Sequence, residues 1–513
     1  IVQESVVGPS LGQESIRNSM MSFILAFVMV LIYMLIFYNK GGLVANIALL
    51  INLFFMFGVL TSLGAVLTLP GIAGIVLTLG MAVDANVIIY ERIKEELRAG
   101  KGLRMAVDDG YKNAYSAIID GNVTTLITGI VLLYFGTGPI QGFATTLCIG
   151  ILTSMFTAIF ISRLIFSKWL SKNKQIRFSN KFSENFMANT KFNFIAKRKY
   201  SYVISGALVL ISIISLCTRG LSLGIDFSGG RTYVVRFDQV VPTNDLRATL
   251  TDAFDGDAPE VKTFGPSNQV KITTKYKVNE TGGEVDNDIE SRLYEGCRPF
   301  FLDNISMEEF KSEQSDKMLG KLSSEVVGPT VASDITRSAF IAVIVALLFI
   351  FAYIAVRFKR WQFGLSCLIG LTHNVLISIG LFSLLYGLLP FSLDIDQAFI
   401  AAILTIIGYS VNDTVVIFDR IRENMQLMPK HPLLDNMNAA INSTLSRTIN
   451  TSGTTLVTLL MIFIFGGEVI RGFTFSILCG ILIGTYASIF VAAPTAYDLL
   501  TRKQRKLDVN KAK

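Results

Sequence analysis

Long apolar runs alternate with short polar connections along most of this chain. Eleven runs are long enough to cross a bilayer as helices, which takes about 17–25 residues at a rise of about 1.5 Å each. This pattern predicts an α-helical polytopic membrane protein. The runs lie near residues 20–38, 44–62, 70–90, 117–135, 143–166, 201–217, 338–356, 363–388, 398–418, 448–465 and 473–498.

One long polar stretch, residues 219–333, interrupts the series after the sixth run. It contains short runs that alternate as strands do and runs preceded by helix-capping residue types, Asn244 and Asp286, with Gly296 as a stop signal. We therefore expect an α+β domain of ferredoxin-like size. The predicted elements are strands at 232–237, 269–274 and 323–326, and helices at 244–254 and 287–295.

These features divide the chain into seven segments, two of which are membrane units of five spans each. The segments are the end of a soluble domain with a lead-in at 1–19, a first membrane unit at 20–170, a basic linker at 171–199, a single span at 200–218, the soluble domain at 219–333, a second membrane unit at 334–500 and a basic tail at 501–513.

The two membrane units are repeats of each other. Three matches occur in the same order in both units, and both units run in the same direction, which predicts a pseudo-two-fold axis along the membrane normal. The matches are Val6-Val-Gly-Pro9 with Val326-Val-Gly-Pro329, the spans through Gly80, Arg92 and Glu95 with those through Gly408, Arg420 and Glu423, and Thr124-Thr-Leu126 with Thr454-Thr-Leu456.

A single span and a soluble domain precede the second unit. The duplication therefore predicts a corresponding span and soluble domain before the first unit. Residues 1–5 would then be the last strand of that earlier domain, as residues 323–326 close the later one. No targeting leader precedes the first span. The chain is therefore expected to begin inside a larger protein.

The distribution of basic residues among the connections indicates how the chain is oriented in the membrane. The net charge is +7, and the basic residues cluster in connections such as 91–113, 163–200 and 357–360, whereas the alternate connections carry few or none. By the positive-inside rule the basic connections and the C-terminal tail are cytoplasmic, and the soluble domain lies on the outer face. A nucleic-acid partner is not needed to explain the charge.

Composition narrows the possible activities. A chain that is 51% hydrophobic with a mean hydropathy of +0.52 is too apolar for a soluble protein of 513 residues. Of five cysteines only Cys297 lies in the soluble domain, so no disulfide forms within it. No phosphate-binding loop, dinucleotide motif or metal-ligand spacing occurs. The energy for any activity is therefore expected to come from an ion gradient or a partner protein, and no cofactor is expected.

Two carboxylates lie inside predicted spans. Asp84 lies seven residues before Glu91 and Asp413 six before Asp419, which places them roughly 9–10 Å inside the membrane if those later acids mark its surface. A charge at that depth costs at least ~2–3 kcal/mol, so proton or ion handling is the first hypothesis. A structural polar residue paired with a neighbouring helix is the alternative.

Other polar residues accompany these acids. Arg447 enters the span after Asp413 at a similar depth, so an ion pair that opens on protonation of Asp413 is expected; snorkelling to the headgroups is the alternative. Hydrogen bonding between helices would equally explain Asn86 and Asn412. The supporting polar residues are Asn86, Asn412, Asp120 and Thr454.

Five stretches resemble signature motifs of the SecD and SecF family, here fused in one chain. The resemblance covers nearly the whole length, and it departs from the family at Ser228, where threonine is frequent. The stretches are Leu69-Pro-Gly-Ile-Ala-Gly74, Met81-Ala-Val-Asp84-Ala-Asn86, Tyr134-Phe-Gly-Thr-Gly-Pro139, Gly224-Ile-Asp-Phe-Ser-Gly-Gly230 and Ser410-Val-Asn-Asp413-Thr-Val-Val416.

The resemblance implies a function. This family, part of the resistance-nodulation-division superfamily, uses a proton or in some members a sodium gradient to help draw unfolded preproteins out on the periplasmic side of the bacterial inner membrane. It implies a non-enzymatic accessory subunit of the SecYEG-type translocon, with YajC- and YidC-type subunits as further partners. The resemblance also leads us to expect that the SecD N-terminal span and large periplasmic domain are missing from this sequence. Asp84, Asp413 and Arg447 stand at the family's ion-path positions.

Two other functions remain open from the sequence. A small-molecule or lipid exporter of the same superfamily shares the membrane bundle but usually has larger soluble domains than residues 219–333. An intramembrane aspartyl protease also needs two helix-borne aspartates, in Tyr-Asp and Gly-x-Gly-Asp contexts. Val83-Asp84 and Asn412-Asp413 match neither context.

Overall fold

Helices form most of the molecule. The computed structural model describes residues 3–172, 175–187, 190–280, 282–312 and 319–511, without the side chains of Leu69 and 503–511. The helices are α1 (Pro9–Ser62), α2 (Leu69–Arg98), α3 (Leu103–Phe135), α4 (Pro139–Phe156), α5 (Ser162–Ser171), α6 (Arg198–Thr218), α7 (Ile225–Ser228), α8 (Thr243–Ala253), α9 (Gly283–Cys297), α10 (Met307–Lys311), α11 (Pro329–Arg357), α12 (Trp361–Leu385), α13 (Gln397–Leu427), α14 (Leu433–Phe465), α15 (Glu468–Ala487) and α16 (Ala493–Lys511). Short π-helical turns, Thr157–Ile161 and Ser488–Ala492, join α4 to α5 and α15 to α16.

Ten helices in the described part of the chain are long and apolar enough to cross a membrane. The first of them, α1, reverses direction at Asn39, whose φ of 53° and ψ of −124° are not helical. Asn46 Nδ2 donates to the Leu31 carbonyl oxygen at 3.0 Å, although 15 residues of straight helix would separate them by about 22 Å. Helix α1 therefore contains two spans, and the eleven predicted spans are confirmed.

The two units interlock through α2 and α13 at the centre of the bundle. In each of these helices 89% of the most apolar stretch is buried inside the protein. A Cβ on Gly80 of α2 would lie 3.2 Å from the Cα of Thr455 in α14, and one on Gly408 of α13 would lie 3.2 Å from the Cα of Thr125 in α3. Each central helix thus packs closely on the threonine-rich helix of the other unit.

The soluble domain is a five-stranded antiparallel sheet with two helices on one face. The strands follow the order β1-β5-β2-β4-β3, in which the last four, with α8 after β2 and α9 after β4, form a ferredoxin-like βαββαβ unit. The α+β prediction is confirmed. The strands are β1 (Gln3–Val7), β2 (Gly230–Arg236), β3 (Glu260–Thr263), β4 (Gln269–Thr274) and β5 (Gly320–Val327).

Several predicted boundaries differ from the structure. Helix α9 begins at Gly283 rather than 287 and passes through Gly296 to Cys297, because Gly296 packs against Leu250 of α8, where a Cβ would lie 2.6 Å from Leu250 Cδ2. Strand β3 was not predicted, since its four residues are too few for alternation to be recognised. Residues 1 and 2 of the predicted first strand lie outside the described residues.

Strand β1 joins the sheet at its edge beside β5. Ser5 lies opposite Glu325 in this antiparallel pair, and the same two residues are equivalent in the sequence repeat, which aligns Val6 with Val326. A pseudo-two-fold axis therefore passes between them. This is the axis expected if the sheet caps the two membrane units.

The two faces of the sheet differ in character. One face buries Tyr233 and Ile272 against Leu250 of α8 and Ile289 of α9. The other face turns toward the membrane bundle, where Arg236 donates to Glu14 of α1 at 2.8 Å. We call the end of the bundle that meets this face the domain end.

Glu325 lies on the bundle-facing side of β5, where burial, followed by the charge of Asp226, raises its pKa to about 7. The folded protein then holds a proton that the unfolded chain releases at lower pH, so stability should fall as pH rises from about 4.5 to 7. Glu325→Gln should raise the free energy of unfolding at pH 8 by up to about 3 kcal/mol and change it little at pH 4.

Thermal unfolding in detergent at both pH values measures this effect. Glu295→Gln, at an exposed position of α9, is the matched control and should change little at either pH. Equal midpoints for native protein and Glu325→Gln at pH 8 would contradict the prediction.

Candidate functional site

Three helices bring three buried charged residues together in the middle of the bundle. Asp84 lies on α2 of the first unit, whereas Asp413 lies on α13 and Arg447 on α14 of the second unit. Their exposed fractions are 6%, 2% and 3%. Such groups are rare inside a membrane unless they are paired.

Arg447 forms ion pairs with both carboxylates. Its Nη1 donates to Asp413 Oδ1 at 2.9 Å, and its Nη2 donates to Asp84 Oδ1 at 3.1 Å and Oδ2 at 3.3 Å. One guanidinium therefore links an acid of each unit. Planar guanidinium groups suit this role because they present several donors in a fixed geometry.

Neutral side chains complete the cluster. Asn412 Nδ2 donates to Asp84 Oδ2. Asp413 Oδ2 accepts from Ser452 Oγ at 3.4 Å and Thr485 Oγ1 at 3.3 Å, and these two hydroxyls lie 2.8 Å apart. Each carboxylate thus has a charged partner and a neutral one. Sequence reasoning missed Ser452 and Thr485, since hydroxyl residues are frequent along both spans.

The charges of the cluster do not balance when both acids are ionised. Asp84 and Asp413 carry two negative charges against the single positive charge of Arg447. One bound proton or monovalent cation would neutralise the cluster in a setting where net charge is costly. The arrangement can therefore exchange one positive charge and, in doing so, change the attraction between the two units.

Two of the predicted supporting residues lie apart from the cluster. Asn86 Nδ2 donates to the Ala82 carbonyl oxygen at 3.4 Å, because two helical positions beyond Asp84 the side chain points about 200° away. Thr454 Oγ1 donates to the Thr451 carbonyl oxygen at 2.9 Å. Both side chains form hydrogen bonds within their own helices.

Asp120 belongs to a separate buried ion pair. Its Oδ1 accepts from Arg357 Nε at 2.7 Å and from Tyr353 Oη at 2.8 Å, both on α11. The equivalent contact in the other half joins Tyr33 Oη to Asn450 Oδ1 at 2.8 Å. These contacts hold the outer helix of one unit against the threonine-rich helix of the other.

A ring of alternating charges closes the cluster on the side away from the soluble domain. Arg92 donates to Glu423 at 2.8 Å, and Arg420 donates to Glu95, so each central helix supplies one partner to the other. A cavity of about 30 Å³ between this ring and Arg447 has room for a water molecule. In the sequence, these four residues were notable because the two arginines and the two glutamates occupy matching positions in the two repeats.

The duplicated bundle and the cross-unit cluster define a polytopic membrane protein in which a buried charge site lies between two pseudo-symmetric halves. Residues 1–172 and 307–502 match the family described as "Protein export membrane protein SecD/SecF, C-terminal", and residues 214–239 match the "SecD/SecF GG Motif". The chain belongs to the SecD/SecF family of protein export membrane proteins.

Named relatives agree with this assignment. The chain is 33% identical to protein translocase subunit SecDF of Bacillus subtilis over 95% of its own length, and 45% identical to protein translocase subunit SecF of Rhodothermus marinus over 61%. It covers 64% of the first relative and 95% of the second. The chain thus spans less than two thirds of the Bacillus protein.

Solved structures support the fold. The crystal structure of SecDF from Thermus thermophilus, named a translocon-associated membrane protein, matches 98% of this chain at 34% identity with a TM-score of 0.85; the match covers 64% of that structure. The relatives are named as translocase subunits rather than enzymes. The prediction of a SecD–SecF fusion with a duplicated bundle is therefore confirmed.

Proposed function

We propose that this protein is an accessory subunit of the Sec protein translocase and uses the proton-motive force to assist late preprotein export. The coupling ion is H⁺, with Na⁺ as the alternative. The site of coupling is the cluster of Asp84, Asp413 and Arg447, and the soluble domain acts on the preprotein on the periplasmic face of the bacterial inner membrane.

The shared guanidinium is the observation that carries this proposal. Arg447 contacts Asp413 of its own unit and Asp84 of the other unit within 3.1 Å. A proton on either carboxylate removes one of the two attractions, and release of that proton restores it. Binding and release of the ion thereby change how strongly the two halves are held together.

Motion follows because Arg447 lies in the contact between the two units, where it pairs with an acid of each. Weakening the contact across Arg447 favours a rocked arrangement, in which the other side of the membrane reaches the cluster. The ring of Arg92, Glu423, Arg420 and Glu95 separates the cluster from the basic, cytoplasmic side. One ion thus crosses per cycle, and the cycle moves the parts of the soluble domain relative to the membrane.

The first experiment compares native protein with Asp413→Asn in vesicles that contain a translocon. Late export of a slowly exported preprotein is followed with and without an imposed proton gradient. A sodium gradient imposed in its place shows which of the two ions is used. We expect the gradient to accelerate export only in the native protein. Equal acceleration in the Asp413→Asn variant would overturn the proposal.

Two control variants test whether loss of any ion-paired carboxylate on these helices has the same effect. Asp498→Asn removes the partner of Arg198 at 2.9 Å, in a pair remote from the cluster in the fold. It should retain gradient dependence. Asp120→Asn, which breaks the pair with Arg357, should retain it too, because Asp120 makes no contact with the cluster among the described contacts.

The alternatives predict different geometry. Aspartyl catalysis requires two carboxylates that share a water or a proton, whereas here a guanidinium lies between Asp84 and Asp413. A small-molecule exporter needs a ligand cavity of about 300–1,000 Å³. The apolar cavity between the units at the domain end measures about 170 Å³. Two larger cavities, of about 600 and 490 Å³, lie near Arg360 and Met425 and are lined by residues of the second unit alone, so neither lies between the two units. We therefore keep SecYEG-type translocon subunits, YajC- and YidC-type proteins and the unfolded preprotein as the proposed partners.

A further inference from the structure

The domain ends of the two acid-bearing helices differ where the repeat would make them alike. Thr68 accepts a hydrogen bond from the backbone of Gly71 at the start of α2, and Asp396 accepts one from Phe399 at the start of α13. Two residues before each cap, the first unit has Val66, which is 79% exposed. The second unit has Asp394 at that position, with a side chain only 10% exposed.

Asp394 is held by the soluble domain. Lys262 of β3 donates to its Oδ1 at 2.7 Å, and Lys271 of β4 donates to its Oδ2 at 3.2 Å. Ser222 and Ser392 add hydroxyl donors at 2.7 and 2.6 Å. Burial acts to raise the pKa of Asp394, but Lys271 and Lys262 outweigh it and hold the pKa well below its usual range.

Backbone contacts extend this attachment. The Gly224 amide donates to the Ile395 carbonyl oxygen at 2.9 Å, and the Ile395 amide donates to the Ser222 carbonyl oxygen at 2.7 Å. Asp226 accepts from both the backbone amide and the side chain of Gln397, each at 3.0 Å. The segment that enters the soluble domain is thereby bonded to the first residue of α13.

We propose that Asp394, with Lys262 and Lys271, forms a coupling joint that makes the soluble domain move with α13. These are positioning residues, and the inference rests on the proposed function. Asp413 lies on α13, 16 residues after its first residue, Gln397, and thus roughly 24 Å away along a stiff helix. A shift of α13 caused at Asp413 reaches the sheet through this joint.

The ion pair between the sheet and the first unit is more exposed than the joint, although β1 also connects the sheet to α1. Arg236 pairs with Glu14 of α1 in the first unit, but the Glu14 side chain is 42% exposed. Exposed ion pairs contribute little to stability, whereas breaking a buried pair is costly. The joint at Asp394 is therefore the stronger of these two ion-pair links, and it transmits a shift of α13 to the sheet while β1 keeps the sheet continuous with α1.

Asp394→Asn should separate ion movement from export. Reconstituted with a translocon, this variant should lose the gradient-dependent part of export roughly tenfold, within the usual range of coupling between sites. Proton uptake, followed with a pH-sensitive dye in the same vesicles, should stay within about twofold of native because the cluster is untouched. Asp394→Glu keeps the charge and should restore export.

Controls distinguish coupling from folding. Lys262→Gln leaves Lys271 in place and should give an intermediate loss, which a misfolded protein would not. Asp288→Asn breaks the exposed pair with Lys277 at 2.8 Å in the same domain and should behave as native.

Three outcomes overturn the inference. Native export in Asp394→Asn would show that the joint transmits nothing. Loss of both proton uptake and export would place Asp394 in the ion path or in the fold. Loss of export in Asp394→Glu as in Asp394→Asn would remove any role of the charge. Failure of the proposed function is different, since it would appear as native proton uptake and export in Asp413→Asn.

Discussion

Replacing Arg447 with glutamine is expected to destabilise the folded protein by about 3–5 kcal/mol, the usual cost of breaking a buried ion pair from one side. The variant leaves Asp84 and Asp413 buried without their shared cation. Glutamine can donate hydrogen bonds but carries no charge. We expect gradient-dependent export to be lost as well.

A second substitution tests the cause. Adding Asp84→Asn to Arg447→Gln removes one uncompensated charge and should restore a large part of the lost stability, although not the export. Thermal unfolding in detergent measures the two variants and their combination as a double-mutant cycle. Arg198→Gln, which breaks a half-buried pair with Asp498, is the control and should cost less than about 1 kcal/mol. A stable Arg447→Gln variant would contradict the prediction.

The spans, the repeat and the three central charges were within reach of the sequence. Each apolar run extends over many residues, so a local irregularity does not hide it. The break between the first two runs even anticipated the reversal of the chain at Asn39. A charge in such a run is conspicuous because it is costly there. The pairing of Arg447 with Asp413 required one further assumption, a similar depth for both residues, whereas the ion pair of Arg447 with Asp84 was not predicted.

The partners of these charges were harder to predict, for a geometric reason. Asn412 reaches Asp84 across the interface, whereas Asn86 points away from it on the same helix as Asp84. The 100° step of a helix could have separated Asn86 from Asp84. It could not have shown which of the predicted supporting residues, here Asn412, contacts Asp84, since that depends on how α2 and α13 are rotated against each other.

The joint at Asp394 was hidden for another reason. Its partners Lys262 and Lys271 lie on two strands, one of which is only four residues long and escaped recognition. A lysine on a short strand and an acid in a loop are ordinary surface features in a sequence. They become unusual only when the fold buries them together.

The duplication supplies a symmetric frame in which the functional groups are asymmetric. The cross-unit contacts of Gly80 and Gly408 and the ring of Arg92 and Arg420 obey the pseudo-symmetry. The guanidinium of Arg447 has Ala117 as its counterpart in the first unit. The symmetric packing gives two similar halves. Because Arg447 is present in one half only, the ion pairs between the halves are asymmetric.

The second large effect is expected from Gly408→Val at the packing contact of α13 with α3. The added side chain would overlap Thr128 Oγ1 and approach the Cα of Thr125. The Thr125 hydroxyl also donates to the Gly408 carbonyl oxygen at 3.1 Å. Overpacking typically costs about 1–3 kcal/mol and is relieved here only by separating the helices. The separation would displace Asp413, five residues further along α13.

Gly206→Val provides the matched control, because a Cβ at Gly206 of α6 meets nothing within 4 Å. Its stability should remain within about 0.5 kcal/mol of native. Thermal unfolding and gradient-dependent export are measured for both variants. If Gly408→Val unfolds and exports as Gly206→Val does, the two units do not depend on close contact at α13, and rocking across a tight interface cannot be how the ion cluster drives the soluble domain.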